Sequence, residues 1–277
     1  MSRLISLYLL CLSLALPTQA ETLRDIAYGP APEQRYDLHL PAAPQNVPTI
    51  LMVHGGGWFR GDKNMERVVD NKAARWLPRG IAFASTNYRM QPQAAPLEQA
   101  RDVARALASL QRIASQYGIA PDTIVLMGHS AGAHLIALLA ARPDLLAEAG
   151  AQKPLGYVLL DSGALDVPSI MNKHHLRLYD RAFGSNPADW VAVSPYHQLR
   201  QATPPMLAVC STRRADACPQ ARALAEKTQG LGASIVVLPQ DMTHGEINAQ
   251  LGQDGDYTNR VEHFIGGLSP RLAERLR

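Results

Sequence analysis

The chain has 277 residues, 47% of them hydrophobic and 18% charged, with 27 Lys and Arg against 24 Asp and Glu. That balance suits one large soluble core. A net charge of only +3 with dispersed basic residues argues against a nucleic-acid surface. No solenoid-period repeat, low-complexity tract or linker-like stretch divides the chain, so residues 21–277 read as a single domain.

The first twenty residues read as a secretory signal peptide. Arg3 supplies a positive start, Leu4 to Leu16 a short apolar run, Pro17 a break, and Thr18-Gln19-Ala20 a cleavage site after Ala20. The run is too short for a stable membrane anchor. Export to the periplasm or beyond is the expected location. Cleavage removes Cys11 and leaves Cys210 and Cys218, a candidate disulfide in an oxidising compartment.

In chain order, Ile26–Tyr28 and Arg35–Leu40 alternate like strands of an edge hairpin. Pro48–His54 is a continuous apolar run, expected as a buried strand. A helix over 64–77 and a strand over 80–85 follow. Pro96–Tyr117 carries Leu97, Ala100, Val103, Ala104, Leu107, Leu110, Ile113 and Ala114 at helical spacing, stopped by Gly118. Thr123–Met127 is a strand and Ala133–Arg142 a helix. Further strands are expected at 155–160, 206–210 and 234–239, and helices at 219–231 and 256–268. No strong period marks 165–201, which is expected to roof a pocket with Met171, His174, His175, Tyr179, Phe183 and Trp190. Apolar strands alternating with helices predict an α/β fold: a mostly parallel sheet with helices on both faces. Ligands of such sheets bind at the C-terminal strand ends.

Chemistry gathers at those ends. Gly128-His129-Ser130-Ala131-Gly132 lies between a buried strand and a helix, the context of a nucleophile elbow, and Ser130 is the candidate nucleophile. His54-Gly55-Gly56-Gly57-Trp58 ends another buried strand. Its glycines can turn backbone N–H groups toward a developing oxyanion, with Gly56, Gly57 and Ala131 as candidate donors. A serine needs a base. His244, in the loop after the last strand, is the candidate. His129 points away from the tight elbow, His134 lies one turn on, His54 braces the glycine loop, and His174, His175 and His197 fall in the irregular region. The acid should lie between serine and histidine in chain order. Asp216, after the penultimate strand, is the leading candidate, and Asp161, Asp166 and Asp241 are its rivals. A Cys210–Cys218 bridge would close the loop bearing Asp216.

These segments resemble the small HGGGW-type esterases of the α/β-hydrolase superfamily, near the bacterial feruloyl/acetyl esterase and hormone-sensitive-lipase-like families. The likeness includes Tyr28-Gly29, Asp37 to Pro41, His54 to Trp58 with Gly61-Asp62-Lys63, Asn87-Tyr88-Arg89, Gly128 to Gly132, Ser194-Pro195 and His244. It implies a serine carboxylic-ester hydrolase working through an acyl-enzyme on Ser130, Asp216 and His244, without metal or organic cofactor. It also offers the Trp58 N–H as a further oxyanion donor. The expected partner is a small ester, short-chain or carbohydrate-linked. Arylformamidases are similar in the same stretches, so an amide substrate is the alternative. A binding protein on a dead hydrolase fold is less consistent with an intact Ser130 and His244. Residues 90–96 depart from the family pattern, and no long N-terminal cap precedes the sheet, so a large lid is not expected.

Overall fold

The computed structural model describes residues 20–277, so the signal peptide expected over 1–20 lies, but for Ala20, outside the described residues. Eight strands form one sheet in the order β1-β2-β4-β3-β5-β6-β7-β8. They are β1 Glu21–Ala27, β2 Arg35–Leu40, β3 Val47–Val53, β4 Ala82–Thr86, β5 Ile119–His129, β6 Gly156–Leu160, β7 Met206–Ser211 and β8 Ile235–Gln240. β1 and β2 form the antiparallel edge, and every pairing from β4 to β8 is parallel.

The central strands are apolar throughout because each side is covered. Along β3, Leu51 and Val53 join one core while Ile50 and Met52 join the other. The period of two splits β5, β6 and β7 in the same way. The first face packs under α2 (Pro96–Ile113), α3 (Ala131–Ala141), α4 (Pro143–Glu148) and α9 (Ala217–Gln229). The second packs under α1 (Glu66–Trp76), α11 (Asp256–Gly266) and α12 (Pro270–Arg275), with α10 (His244–Ala249) at its end. Strand β8 departs from the all-apolar expectation: it is an edge strand, and Val236 is 51% exposed.

Between β6 and β7 the chain has four short helices, α5 Val167–Met171, α6 Arg177–Phe183, α7 Pro187–Ala192 and α8 Pro195–Gln198. Each is too short for a hydrophobic period to show. None of the described helices is long and apolar enough to cross a membrane.

The parallel register brings the functional ends level. Val53 pairs with Gly128, His129 with Leu160, Leu160 with Val209, and Ser211 with Gln240. The ladder runs on into the loops: Ser130 N–H donates to the Leu160 carbonyl at 2.9 Å, and Asp161 N–H to the Val209 carbonyl at 2.8 Å. Ser130 and Asp161 are therefore fixed by sheet hydrogen bonds, not by loop packing alone.

Candidate active site

The elbow follows from contacts that only glycine permits. Ser130 has φ 55° and ψ −116°, outside the ordinary basins, and α3 starts at the next residue. A strained backbone of this kind costs about 1–3 kcal/mol and persists only where its surroundings enforce it. A side chain on Gly132 would drive into the Val53 and His54 carbonyls of the β3 end, and one on Gly128 into the Gly132 backbone. The two glycines let helix α3 seat directly against the strands, and the Ser130 hydroxyl is left projecting.

Ser130 Oγ donates to His244 Nε2 at 3.0 Å. His244 Nδ1–H donates to Asp161 Oδ2 at 2.6 Å, and these partners assign the ring proton to Nδ1. His244 is not in an open loop, as expected from sequence, but opens α10. Thr243 accepts from Glu246 N–H while Glu246 accepts from Thr243 N–H, a reciprocal cap that fixes the start of the helix. Helix α10 is tied to α1 by Lys72, which is buried and donates to the Asn248 carbonyl at 2.6 Å.

The acid expected at Asp216 is corrected to Asp161. Asp216 lies at the start of α9, with its side chain 40% exposed, and accepts from Arg214 Nη2 at 3.2 Å instead of from His244. Asp161 is fully buried at the end of β6, the strand adjacent to the one carrying Ser130. The Ser211 N–H donates to its Oδ1 at 2.8 Å and Arg214 Nη1 to its Oδ2 at 2.9 Å. Burial alone would raise the Asp161 carboxyl, but the His244 N–H, the Arg214 charge and the Ser211 N–H hold it at about 2. It is ionised well below neutral pH. Arg214 thus takes the place expected for the acid and bridges Asp161 to Asp216. Of the other rivals, Asp166 caps α5 through Ser169 N–H, and Asp241 pairs with Arg213 on the surface.

Three further histidines, His129, His134 and His54, are buried and held neutral in structural positions. His129 Nε2–H donates to the His244 carbonyl at 2.9 Å, and its ring lies 4.5 Å from the His244 ring. Burial, with the neighbouring His244, pushes it down to about 3. It steadies His244 from behind, a contact not expected from the sequence. Burial pushes His134 to about 4, and it links the Trp58 indole N–H at 3.1 Å to the Val193 carbonyl at 2.8 Å. His54 is fully buried, contacts the Gly55 carbonyl and stacks on Tyr88 at 4.6 Å, bracing the glycine loop as expected.

Gly56 and Gly57 take φ of 128° and 63°, where a side chain would be strained. A side chain on Gly55 would meet Ser130 Cβ at 2.8 Å, so the loop passes directly over Ser130. Among the described residues, the N–H groups of Gly56, Gly57 and Ala131 donate to no protein acceptor. The segment departing from the family pattern has a role here. Gln91 N–H and Gln99 Nε2 both donate to the Trp58 carbonyl at 2.9 Å and hold the loop's far end.

Cys210 and Cys218 are joined by a disulfide with Cα atoms 5.1 Å apart. It closes the loop carrying Ser211 and Arg214, two of the groups that hold Asp161. Reduction should lower kcat by about ten- to a hundred-fold before the fold is lost, since small misplacements of catalytic groups cost that much. Full turnover with both thiols titrating free and far-UV circular dichroism unchanged would refute this.

A cavity of about 660 Å³ opens over Ser130, bounded by the glycine loop, Phe59, Arg60, Met65, Arg67 and Val68 on one side and by Leu176, Leu178 and Tyr179 on the other. Of the expected roof residues, Tyr179 lines this cavity. His174 and His175 line an adjacent cleft. Phe183 packs on Trp58 at 4.9 Å, Met171 is buried, and the Trp190 indole donates to the Gly184 carbonyl. Among the described residues, no group of three or more His, Cys, Asp and Glu side chains is placed to hold a metal.

The BD-FAE family model matches residues 36–217, from β2 to the start of α9. The chain belongs to the BD-FAE family. Esterase B of Lactobacillus rhamnosis superposes with a TM-score of 0.74 at 20% identity, covering 94% of this chain and 88% of that one. A truncated carbohydrate esterase from gut microbiota superposes at 0.75 with 19% identity, covering 92% and 99%. This BD-FAE chain therefore has the α/β-hydrolase fold. Among sequence relatives, a probable isoprenylcysteine alpha-carbonyl methylesterase of Oryza sativa subsp. japonica is 34% identical over 42% of this chain and 28% of its own length. Esterase LipQ of Mycobacterium tuberculosis is 28% identical over 65% of this chain and 46% of its own. The BD-FAE chain thus spans less than half the length of both curated relatives.

Proposed function

We propose that this BD-FAE protein is a serine carboxylic-ester hydrolase acting through an acyl-enzyme. The observation that carries the reading is the relay from Ser130 through His244 to the ionised Asp161, at 3.0 and 2.6 Å, beneath three uncommitted N–H groups. Ser130 Oγ attacks the ester carbonyl as His244 Nε2 takes its proton, and Asp161 stabilises the imidazolium. The carbonyl oxygen becomes an oxyanion facing Gly56, Gly57 and Ala131, where each donor is worth about 3–4 kcal/mol in the transition state. His244 returns the proton to the leaving alcohol. Water, deprotonated by His244, then releases the acid and restores Ser130.

Short-chain or carbohydrate-linked acyl esters are the proposed substrates. Export to the periplasm or beyond is proposed with them, supported by the N-terminal sequence and by a disulfide suited to oxidising compartments. An aryl formamide is the second reading. It is favoured by a likeness to the kynurenine formamidase of Danio rerio, 29% identical over 43% of this chain and 39% of that protein.

The test is hydrolysis of p-nitrophenyl acetate, butyrate and octanoate beside an aryl formamide, with mass spectrometry after fluorophosphonate treatment. Ester turnover with one adduct on Ser130 is expected. Turnover of the formamide alone would favour the second reading. An unlabelled Ser130 would remove the serine mechanism.

A further inference from the structure

The charged side chains lining the catalytic cavity are Arg60, Arg67 and Arg214, with no carboxylate among them. Arg214 is committed to Asp161 and Asp216. Among the described residues, the other two have no such partner. Arg60 faces the Phe59 ring at 5.5 Å, and the side-chain contact of Arg67 is with Met65 Sδ at 3.8 Å. Nearby carboxylates are engaged or turned elsewhere. Asp62 is held by the Asn64 backbone N–H and the Asn87 amide, Asp180 pairs with His175, Glu66 is exposed on the first turn of α1, and none of the three lines the cavity.

The Arg60 backbone is also fixed in place. Its N–H donates to the Gly56 carbonyl at 3.2 Å, and a side chain on Gly56 would run into the Arg60 backbone and approach its Cγ at 3.2 Å. The Arg60 side chain therefore springs from directly beside an oxyanion-hole glycine. Arg181, on α6, lies over the same Phe59 ring at 4.2 Å, although it does not itself line the cavity. Unpaired charges of one sign around a concave, partly apolar site focus their field into it.

We propose that the natural substrate is an ester bearing an anionic group (a carboxylate, sulfate or phosphate) that Arg60 and Arg67 hold at the cavity mouth. The inference rests on the esterase reading and narrows its substrate class. The anion docks against the guanidinium groups and places the ester carbonyl over Ser130. Neutral esters of the same length lack that anchor.

Two pairs of esters test it. p-Nitrophenyl hemiglutarate against p-nitrophenyl hexanoate carries the charge on the acyl side. The acetyl ester of 4-hydroxybenzoate against 4-methylphenyl acetate carries it on the alcohol side. In at least one pair the anionic-to-neutral ratio of kcat/KM should fall about tenfold in Arg60→Gln and in Arg67→Gln, through KM, and similarly for the unaltered protein in about 0.5 M salt. Arg60→Lys should restore much of the ratio. Dissociation constants of the same esters on Ser130→Ala protein read the preference without turnover, so loss of the esterase reading leaves this arm intact. Ratios that match in the parent and both arginine variants, for both pairs, overturn the proposal.

Discussion

Asp161→Asn should lower kcat about 10⁴-fold on any ester the protein hydrolyses, whereas Asp216→Asn should cost less than about fivefold. The asymmetry follows from where the two carboxylates sit. Asp161 is fully buried and accepts the His244 Nδ1 proton at 2.6 Å. An asparagine there can present N–H to the ring, which favours the wrong tautomer and leaves Nε2 protonated against Ser130. Asp216 is half-exposed and touches Arg214. Its loss removes one arm of a surface-facing fork while Arg214 keeps its bonds to Asp161. Steady-state kinetics on the two variants, with thermal melts to confirm folding, settle the order. Equal losses, or a larger loss at Asp216, would restore Asp216 as the acid.

Ser130 stands out as the candidate nucleophile in the sequence because its signal is local: an apolar strand, two glycines and an alanine-rich helix within twenty residues. His244 was legible from its place after the last strand. The acid was not, because the choice between two strand ends depends on groups distant in sequence. Asp161 is set by the Ser211 N–H and Arg214, some fifty positions away. One local sign was available. Asp161 is followed by Ser162-Gly163, and a side chain at Gly163 would collide with Arg214 and Asp216. The glycine marks the end where that pair packs, hence the end that holds the buried acid.

The helices of the expected roof were missed for a different reason. Its four helices span four to seven residues each, too short for a 3.6-residue period to register. Three of the four starts were nevertheless written in the sequence: Asp166, Asn186 and Ser194 each precede a proline at the first or second helical position. The α10 cap, Thr243-His-Gly-Glu246, is likewise a capping-box spacing that a loop assignment passes over. End signals outlast periodicity in short helices, and in this site they decide where His244 sits.

Ser130→Ala and His244→Ala should each lower kcat by about 10⁵- to 10⁶-fold, and the double variant should lose no more than either alone. The non-additivity distinguishes the acyl-enzyme from the simplest competing mechanism. His244 lies on the cavity wall beside Ser130, so it could in principle deprotonate a water directly. In that case Ser130→Ala would keep most of the rate, and only His244→Ala would be silent. In the acyl-enzyme both groups act in one step. Ser130 Oγ gives its proton to His244 Nε2 across 3.0 Å, and either deletion removes the whole nucleophile. The residual rate would then reflect the uncommitted N–H groups of Gly56, Gly57 and Ala131, which neither substitution touches. Pre-steady-state release of p-nitrophenol provides the second reading. A burst equal to the enzyme concentration, absent from both variants, requires a covalent intermediate on Ser130, whereas strictly linear release at every pH would be compatible with direct water attack only if Ser130→Ala also retained turnover.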